Sequence, residues 1–298
     1  MAYPAFRVVL THGKVLLSRF TLKVWMLISS SIYLAIGTSG HASTFASVNL
    51  CTDLLLMELP KADAVMSLGP LARHPRLSFN FRKASKYEIN RASTEEFLIR
   101  KPSVLFMGSF DTRPSRARLK AAGIQIHEMQ PWTGIKQGMR QVMEVGAIIA
   151  AEEKAAALVK SIETEVALLA SGSPANAVRK SVIILQQQGY VVHQGAILEL
   201  LEAAGLEMKS DDTAKRHGSF VRLEKLIVDA PDYLVISGDN NLIQEFGDSI
   251  MHHAALKRAY PIEKRIVLPD NLTTCAGPST LLLIQRLRSE LRRVGHFP

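Results

Sequence analysis

A run of 21 residues with neither glycine nor proline, AEEKAAALVKSIETEVALLAS from Ala151 to Ser171, limits what this chain can become. Strong helix formers dominate it. Leu158, Ile162, Val166 and Leu169 recur at steps of three or four, which predicts one apolar face, with Glu153, Lys160 and Glu163 pointing away. At 1.5 Å per residue the helix would be a rod of roughly 30 Å, about the width of a small domain. The segment GSPAN, Gly172 to Asn176, stops it. On either side lies a series of short apolar strands alternating with helices, so the rod reads as a bridge between two α/β bodies.

The 298 residues suffice for two such bodies with their own cores. Residues 1–42 read as a signal peptide. Arg7, Lys14, Arg19 and Lys23 make a basic start without an acid, Val24 to Gly37 is apolar, and Gly40 and Ala42 are small. The apolar run of 14 residues is short for a membrane span. An uncleaved anchor is the alternative. Loss of the leader removes four basic residues and lowers the formal net charge from +9 to +5. That mild excess suits an anionic small ligand or an acidic partner. The basic residues are scattered and no nucleic-acid-binding signature is present, so no nucleic-acid partner is expected.

Taken in order, residues 45–149 read as an N-terminal lobe, residues 151–171 as the interlobe helix and residues 178–298 as a C-terminal lobe. The first strand runs from Phe45 to Leu50, with Thr52 or Asp53 as N-cap of the next helix. Gly69 to Asn90 has no clean period and reads as irregular. Gly138 and Gly146 predict a break before Ala151. In the second half Asn241 to Phe246 and His253 to Ala259 read as helical. Two segments share a layout. EEFLIRKPSVLFMG (Glu95 to Gly108) and EKLIVDAPDYLVISG (Glu224 to Gly238) each open on Glu, carry Pro seven residues later (Pro102, Pro231), and end a buried-type strand in Gly. The fold class that follows is α/β, two similar lobes with parallel sheets joined by a single long helix.

With these segments in view, the chain resembles the periplasmic solute-binding proteins of ABC importers for iron chelates and cobalamin. The resemblance covers Phe45 to Val294 and rests on ASVNLCTDLLLMEL, EEFLIRKPSVLFMG, the bridging helix, GSFVRLEKLIVDAPDYLVIS and NLTTCAGPS. It implies a periplasmic, non-enzymatic receptor, a monomer without a cofactor. Such a receptor captures a metal chelate between the lobes and delivers it to an ABC permease in the inner membrane. A ferric siderophore is the expected ligand, with cobalamin or haem as alternatives. The stretch Arg73 to Arg91 departs from the family in lacking the aromatic-rich loop expected for cobalamin.

Ligands of open parallel sheets sit beyond the carboxyl ends of the strands. That rule selects Asn49, Cys51 and Thr52 after the first strand, Arg73 after the second, Phe110 and Arg113 after the third, and Trp132 after the fourth. From the second lobe it selects Gln187, Tyr190, Gly238, and the turn holding Cys275 and Gly277. Arg73 and Arg113 suit carboxylate or catecholate oxygens, and Trp132 and Tyr190 suit a flat ligand. A solvated loop residue is the plain alternative for each. Cys51 and Cys275 both follow strands that end at the cleft; a disulfide and two half-buried thiols are both open. A thiolate Cys51 at a helix N-terminus would be the nucleophile of the one enzyme reading. Bare-metal binding would need converging ligands, and of the histidines only His74 and His193 fall near strand ends. Glu95 and Glu224, alike in the repeat, would lie on the same outer face of their lobes. In the family that the chain resembles, matching glutamates dock onto permease arginines.

Overall fold

The long helix divides two sheets of different character. A computed structural model describes residues 43–111, 114–173, 178–186, 190–192, 195–209, 219–238 and 253–298, and residues 43–298 form one compact unit. The N-terminal lobe runs β1 (Phe45–Ser47), α1 (Leu50–Glu58), β2 (Val65–Ser67), α2 (Thr94–Arg100), β3 (Val104–Gly108), α3 (Arg116–Ala121), β4 (Gln125–Met129) and α4 (Ile135–Ile148). Its four strands are all parallel, in the order β2-β1-β3-β4. The helix α5 (Glu152–Ser171) follows.

The C-terminal lobe runs β5 (Lys180–Leu185), β6 (Tyr190–Val191), α6 (Ala196–Ala203), β7 (Leu206–Met208), β8 (Ser219–Phe220), α7 (Leu223–Asp229), β9 (Tyr233–Ser237), α8 (Ala254–Ala259), β10 (Arg265–Leu268), α9 (Asp270–Thr273) and α10 (Pro278–Arg293). Strand order is β10-β9-β5-β6-β8, with β7 also on β5. The sheet is parallel through β10, β9, β5 and β7, as expected, and the two-residue strand β6 adds antiparallel pairing with the carboxyl end of β5 and with β8. The helix expected at Asn241 to Phe246 lies outside the described residues.

Central strands β3 and β9 are buried along their whole length, as strands covered by helices on both faces must be. Bridge α5 buries Ile162 and Leu169, half-buries Leu158 and Val166, and leaves Glu153, Lys160 and Glu163 exposed. Leu158 packs against the cores of both lobes. The break before α5 falls at Ala150, which takes φ 53°, and not at a glycine. Gly138 and Gly146 stay helical within α4. Gly138 admits Trp132 and Ala276 against the helix, and Gly146 admits Ala155.

The repeat has a structural counterpart. Helices α2 and α7 both close on a left-handed residue, Lys101 (φ 48°, ψ 63°) and Ala230 (φ 41°, ψ 59°), directly before Pro102 and Pro231. Strands β3 and β9 start two residues after those prolines. The closing glycines fall out of register. Gly108 is the last residue of β3, whereas Ser237 holds that place in β9 and Gly238 comes one residue later.

Candidate ligand-binding cleft

Beyond the carboxyl ends of β1 and β10 the two lobes are joined by a disulfide between Cys51 in the first turn of α1 and Cys275 just before α10. The Cα atoms are 5.3 Å apart across a sequence separation of 224. On the N-terminal side, the end of β1 turns into α1 through Asn49. Its Oδ1 accepts from the Cys51 and Thr52 amides at 3.1 and 3.2 Å. Asn49, not Thr52 or Asp53, is therefore the N-cap. Thr52 is fully buried, and its hydroxyl points back at Asn49 Oδ1. That geometry directs the Thr52 hydroxyl to the capping side chain and withholds it from a ligand.

Beneath this turn lies a polar network missed by the sequence reading. Asp53 is fully buried, and its Oδ1 accepts the Gly69 amide at 3.0 Å, while Oδ2 is buried with no hydrogen-bond partner. Burial pushes this carboxyl up to about 7, and the nearby charge of Asp111 adds to the effect. Asn90 donates to Ser47 O at 2.8 Å and Ser67 Oγ at 3.2 Å, tying the ends of β1 and β2. Asp111 accepts the Gly108 amide at 2.6 Å. A Cβ on Gly108 would sit 2.6 Å from Asn49 Nδ2, so a glycine there lets the ends of β1 and β3 close up. Polar residues spaced irregularly along three loops carry no periodic signal, which is why only the fold reveals this cluster.

The remaining candidates separate by place. Trp132 is half-buried at the seam, its ring against Gly138 and Gly277. Gly277 takes φ 95°, which favours glycine, and a Cβ there would meet Trp132, Leu55 and Val142. So Asn49, Cys51, Trp132, Cys275 and Gly277 do come together, as a packed junction. A disulfide-bonded Cys51 carries no thiolate, which removes the nucleophile of the enzyme reading.

Arg73 lies elsewhere. Its Nε donates to Ala84 O, and its Nη2 to Ser85 O and to Tyr87 O at 2.7 Å. Residues 70–88 fold down the edge of the sheet, where Lys83 pairs with Glu58 at the far end of α1 (2.9 Å), before Ile89 pairs with Leu68. Arg73 thus holds the segment that covers edge strand β2. Arg113 and Gln187 lie outside the described residues.

Exposed aromatic side chains remain beyond the strand ends. Phe110, two residues beyond β3, is 83% exposed. Tyr190 opens β6 beside the carboxyl end of β5, and its ring meets Phe220 edge-on at 5.4 Å. Phe220, not selected from the sequence, is 69% exposed. Gly238 directly follows β9 and takes φ 149°.

Among the histidines, His74 accepts the Arg76 amide, His127 faces Glu144 at 3.5 Å, and His253 caps α8; His193 lies outside the described residues. Among the described residues no group of three or more His, Cys, Asp or Glu could hold a metal, and no helix is long and apolar enough to cross a membrane. Glu95 and Glu224 are exposed in the first turns of α2 and α7. The adjacent Glu96 instead accepts the Arg91 amide at 2.7 Å and pairs with Arg100 at 3.6 Å.

A family model described as periplasmic binding protein matches residues 46–270. No curated protein was similar enough to count as a match. Among solved structures, the chain is similar to a periplasmic haem-binding protein of Vibrio cholerae (15% identity, TM-score 0.68, covering 84% of this chain and 99% of that one). It is similar to a periplasmic haem-binding protein of Roseiflexus (16%, TM-score 0.66, 86% and 99%). An ABC-type Fe3+-hydroxamate transport protein of Saccharomonospora viridis shares the fold at 18% identity and TM-score 0.61, with 85% and 93% coverage.

Proposed function

The chain belongs to the periplasmic binding protein family, and from that premise we propose that it captures a ferric siderophore in the interlobe cleft and hands it to an ABC permease. The reading includes export, with residues 1–42 as a cleaved signal peptide, a periplasmic location, and action as a monomer. The observation that supports it most is the disulfide that ties the lobes beyond the carboxyl ends of β1 and β10, where ligands of open parallel sheets sit. Exposed Phe110 beyond β3, and Tyr190 with exposed Phe220 beside the carboxyl end of β5, would offer aromatic faces to a bulky organic ligand there. The formal net charge of +5 left by removal of the leader favours an anionic cargo.

Haem is the second reading, favoured by the haem-binding proteins of Vibrio cholerae and Roseiflexus that share this fold. The absorption spectrum of protein purified from its native periplasm, followed by titration with a ferric trihydroxamate, a ferric catecholate, haemin and cobalamin, decides between them. A charge-transfer band and submicromolar affinity for a ferric siderophore are expected. A Soret band with preference for haemin would move the assignment to haem, and binding of none of the four would end the chelate reading.

A further inference from the structure

The two lobes are interlocked at the floor of the cleft. Cys275, which belongs to the C-terminal lobe by sequence, is buried in the apolar core of the N-terminal lobe with Leu54, Leu55 and Val142. In exchange, Ile135 of α4 is buried in the C-terminal core with Ile197 and Leu200 of α6. Glu199 of α6 accepts the Ile135 amide at 2.7 Å. Trp132 packs there against Gly138 and Gly277. The Cys51–Cys275 bond crosses this junction.

The main chain between the lobes passes through α5. A single helix limits how far two bodies can part but leaves them free to rock about their one attachment. A second covalent attachment, far from the first in sequence and set at the cleft floor, removes that freedom. We propose that the Cys51–Cys275 disulfide is a positioning device for binding: it holds the cleft at one aperture, so that affinity depends on it although its sulfurs do not contact the ligand. The proposal rests on the chelate-capture reading for its effect on affinity, but its structural half needs no ligand. Ordering the cleft before the ligand arrives lowers the cost of binding.

The test uses the full chain carrying Cys51→Ser and Cys275→Ser, with Trp25→Phe in both variant and reference, so that Trp132 is the sole indole. Hydrogen exchange, Trp132 emission, and affinity for haemin and a ferric trihydroxamate are measured. The expected result is native circular dichroism and unchanged protection in β3 and β9. Amides of α4 and of the start of α10 should exchange at least tenfold faster, Trp132 emission should shift to the red, and affinity for the bound probe should fall at least tenfold. Should the serine pair fail to fold, Cys51→Ala with Cys275→Val keeps the junction apolar and is held to the same criteria. Failure of that pair as well would make the bond a stability staple and overturn the positioning role. Unchanged exchange and emission would overturn it too, as would a loosened junction with unaltered affinity. If the reference protein binds neither probe, the chelate reading falls, and the exchange data still decide whether the bond holds the lobes.

Discussion

Asp53 is the residue whose chemistry departs furthest from its ordinary range. Its side chain joins α1 to the end of β2 through the Gly69 amide, under the turn that holds Asn49 and Cys51. Burial is the main cause of the rise from 3.8 to about 7, so folding favours the protonated form. An acid whose folded value is raised binds more protons folded than unfolded. Its contribution is therefore most favourable below about pH 4, falls as pH climbs toward 7, and is constant beyond. Each unit is worth about 1.4 kcal/mol, which puts the ceiling of the effect on the order of 4 kcal/mol. Asp53→Asn keeps an acceptor for Gly69 and cannot ionise. Urea denaturation at pH 4 should find variant and parent alike, whereas at pH 8 the variant should be more stable by about 1–3 kcal/mol. Parallel stability curves from pH 4 to 8 would refute the assignment.

Helices α2 and α7 show what a sequence declares at the level of elements and what it hides. Their kinship could be read because the spacing from Glu to Pro survives in both lobes. Their shared ending could not, since a left-handed C-cap usually announces itself with glycine, and here Lys101 and Ala230 occupy it. A side chain in that region costs about 1 kcal/mol that glycine avoids. Lys101→Gly and Ala230→Gly should each stabilise by about 0.5 kcal/mol once glycine's greater unfolded freedom is subtracted, and additively, as the sites lie in different lobes. Chemical denaturation of the single and double variants checks both claims; destabilisation by either glycine would contradict the account. The same contrast explains the other differences. Asn49, Thr52 and Asp53 are all capping types, so composition could not say which one closes α1. Two-residue strands such as β6 and β8 are too short for alternation to appear. The rule of strand ends selected Cys51, Trp132 and Cys275 as ligand contacts, and the structure packs these three together at the junction of the lobes. It also selected Arg73, because a carbonyl-bound guanidinium and a ligand-facing one look alike in sequence.

At the scale of the whole molecule, the matching helices of the two lobes set two carboxylates in equivalent positions. Three residues separate α2 from β3 and α7 from β9, so each helix runs back along its strand and its first turn lies toward the cleft end of its lobe. Glu95 and Glu224 occupy those turns. A helix dipole explains either residue alone, at about 0.3–1 kcal/mol, and Glu96 already serves the local structure through Arg91 and Arg100. What the dipole leaves unexplained is an exposed carboxylate at the same place of the matching helix in each lobe. A partner with two equivalent basic sites would read that pair, and we propose the permease as that partner. Truncating carboxylates at a docking surface removes charge complementarity with the partner and leaves the ligand cleft alone. Glu95→Ala combined with Glu224→Ala should therefore keep chelate affinity within about twofold and the melting temperature within a few degrees, since exposed sites contribute little. Uptake of the labelled chelate by cells expressing the variant at native level should fall by more than about tenfold, the effect of losing 1.4 kcal/mol or more of partner binding. Each single variant should lie between, because one lobe would remain engaged. Normal uptake by the double variant would refute the docking assignment, and an equal loss of uptake and of chelate affinity would place both glutamates in the cleft's own machinery instead.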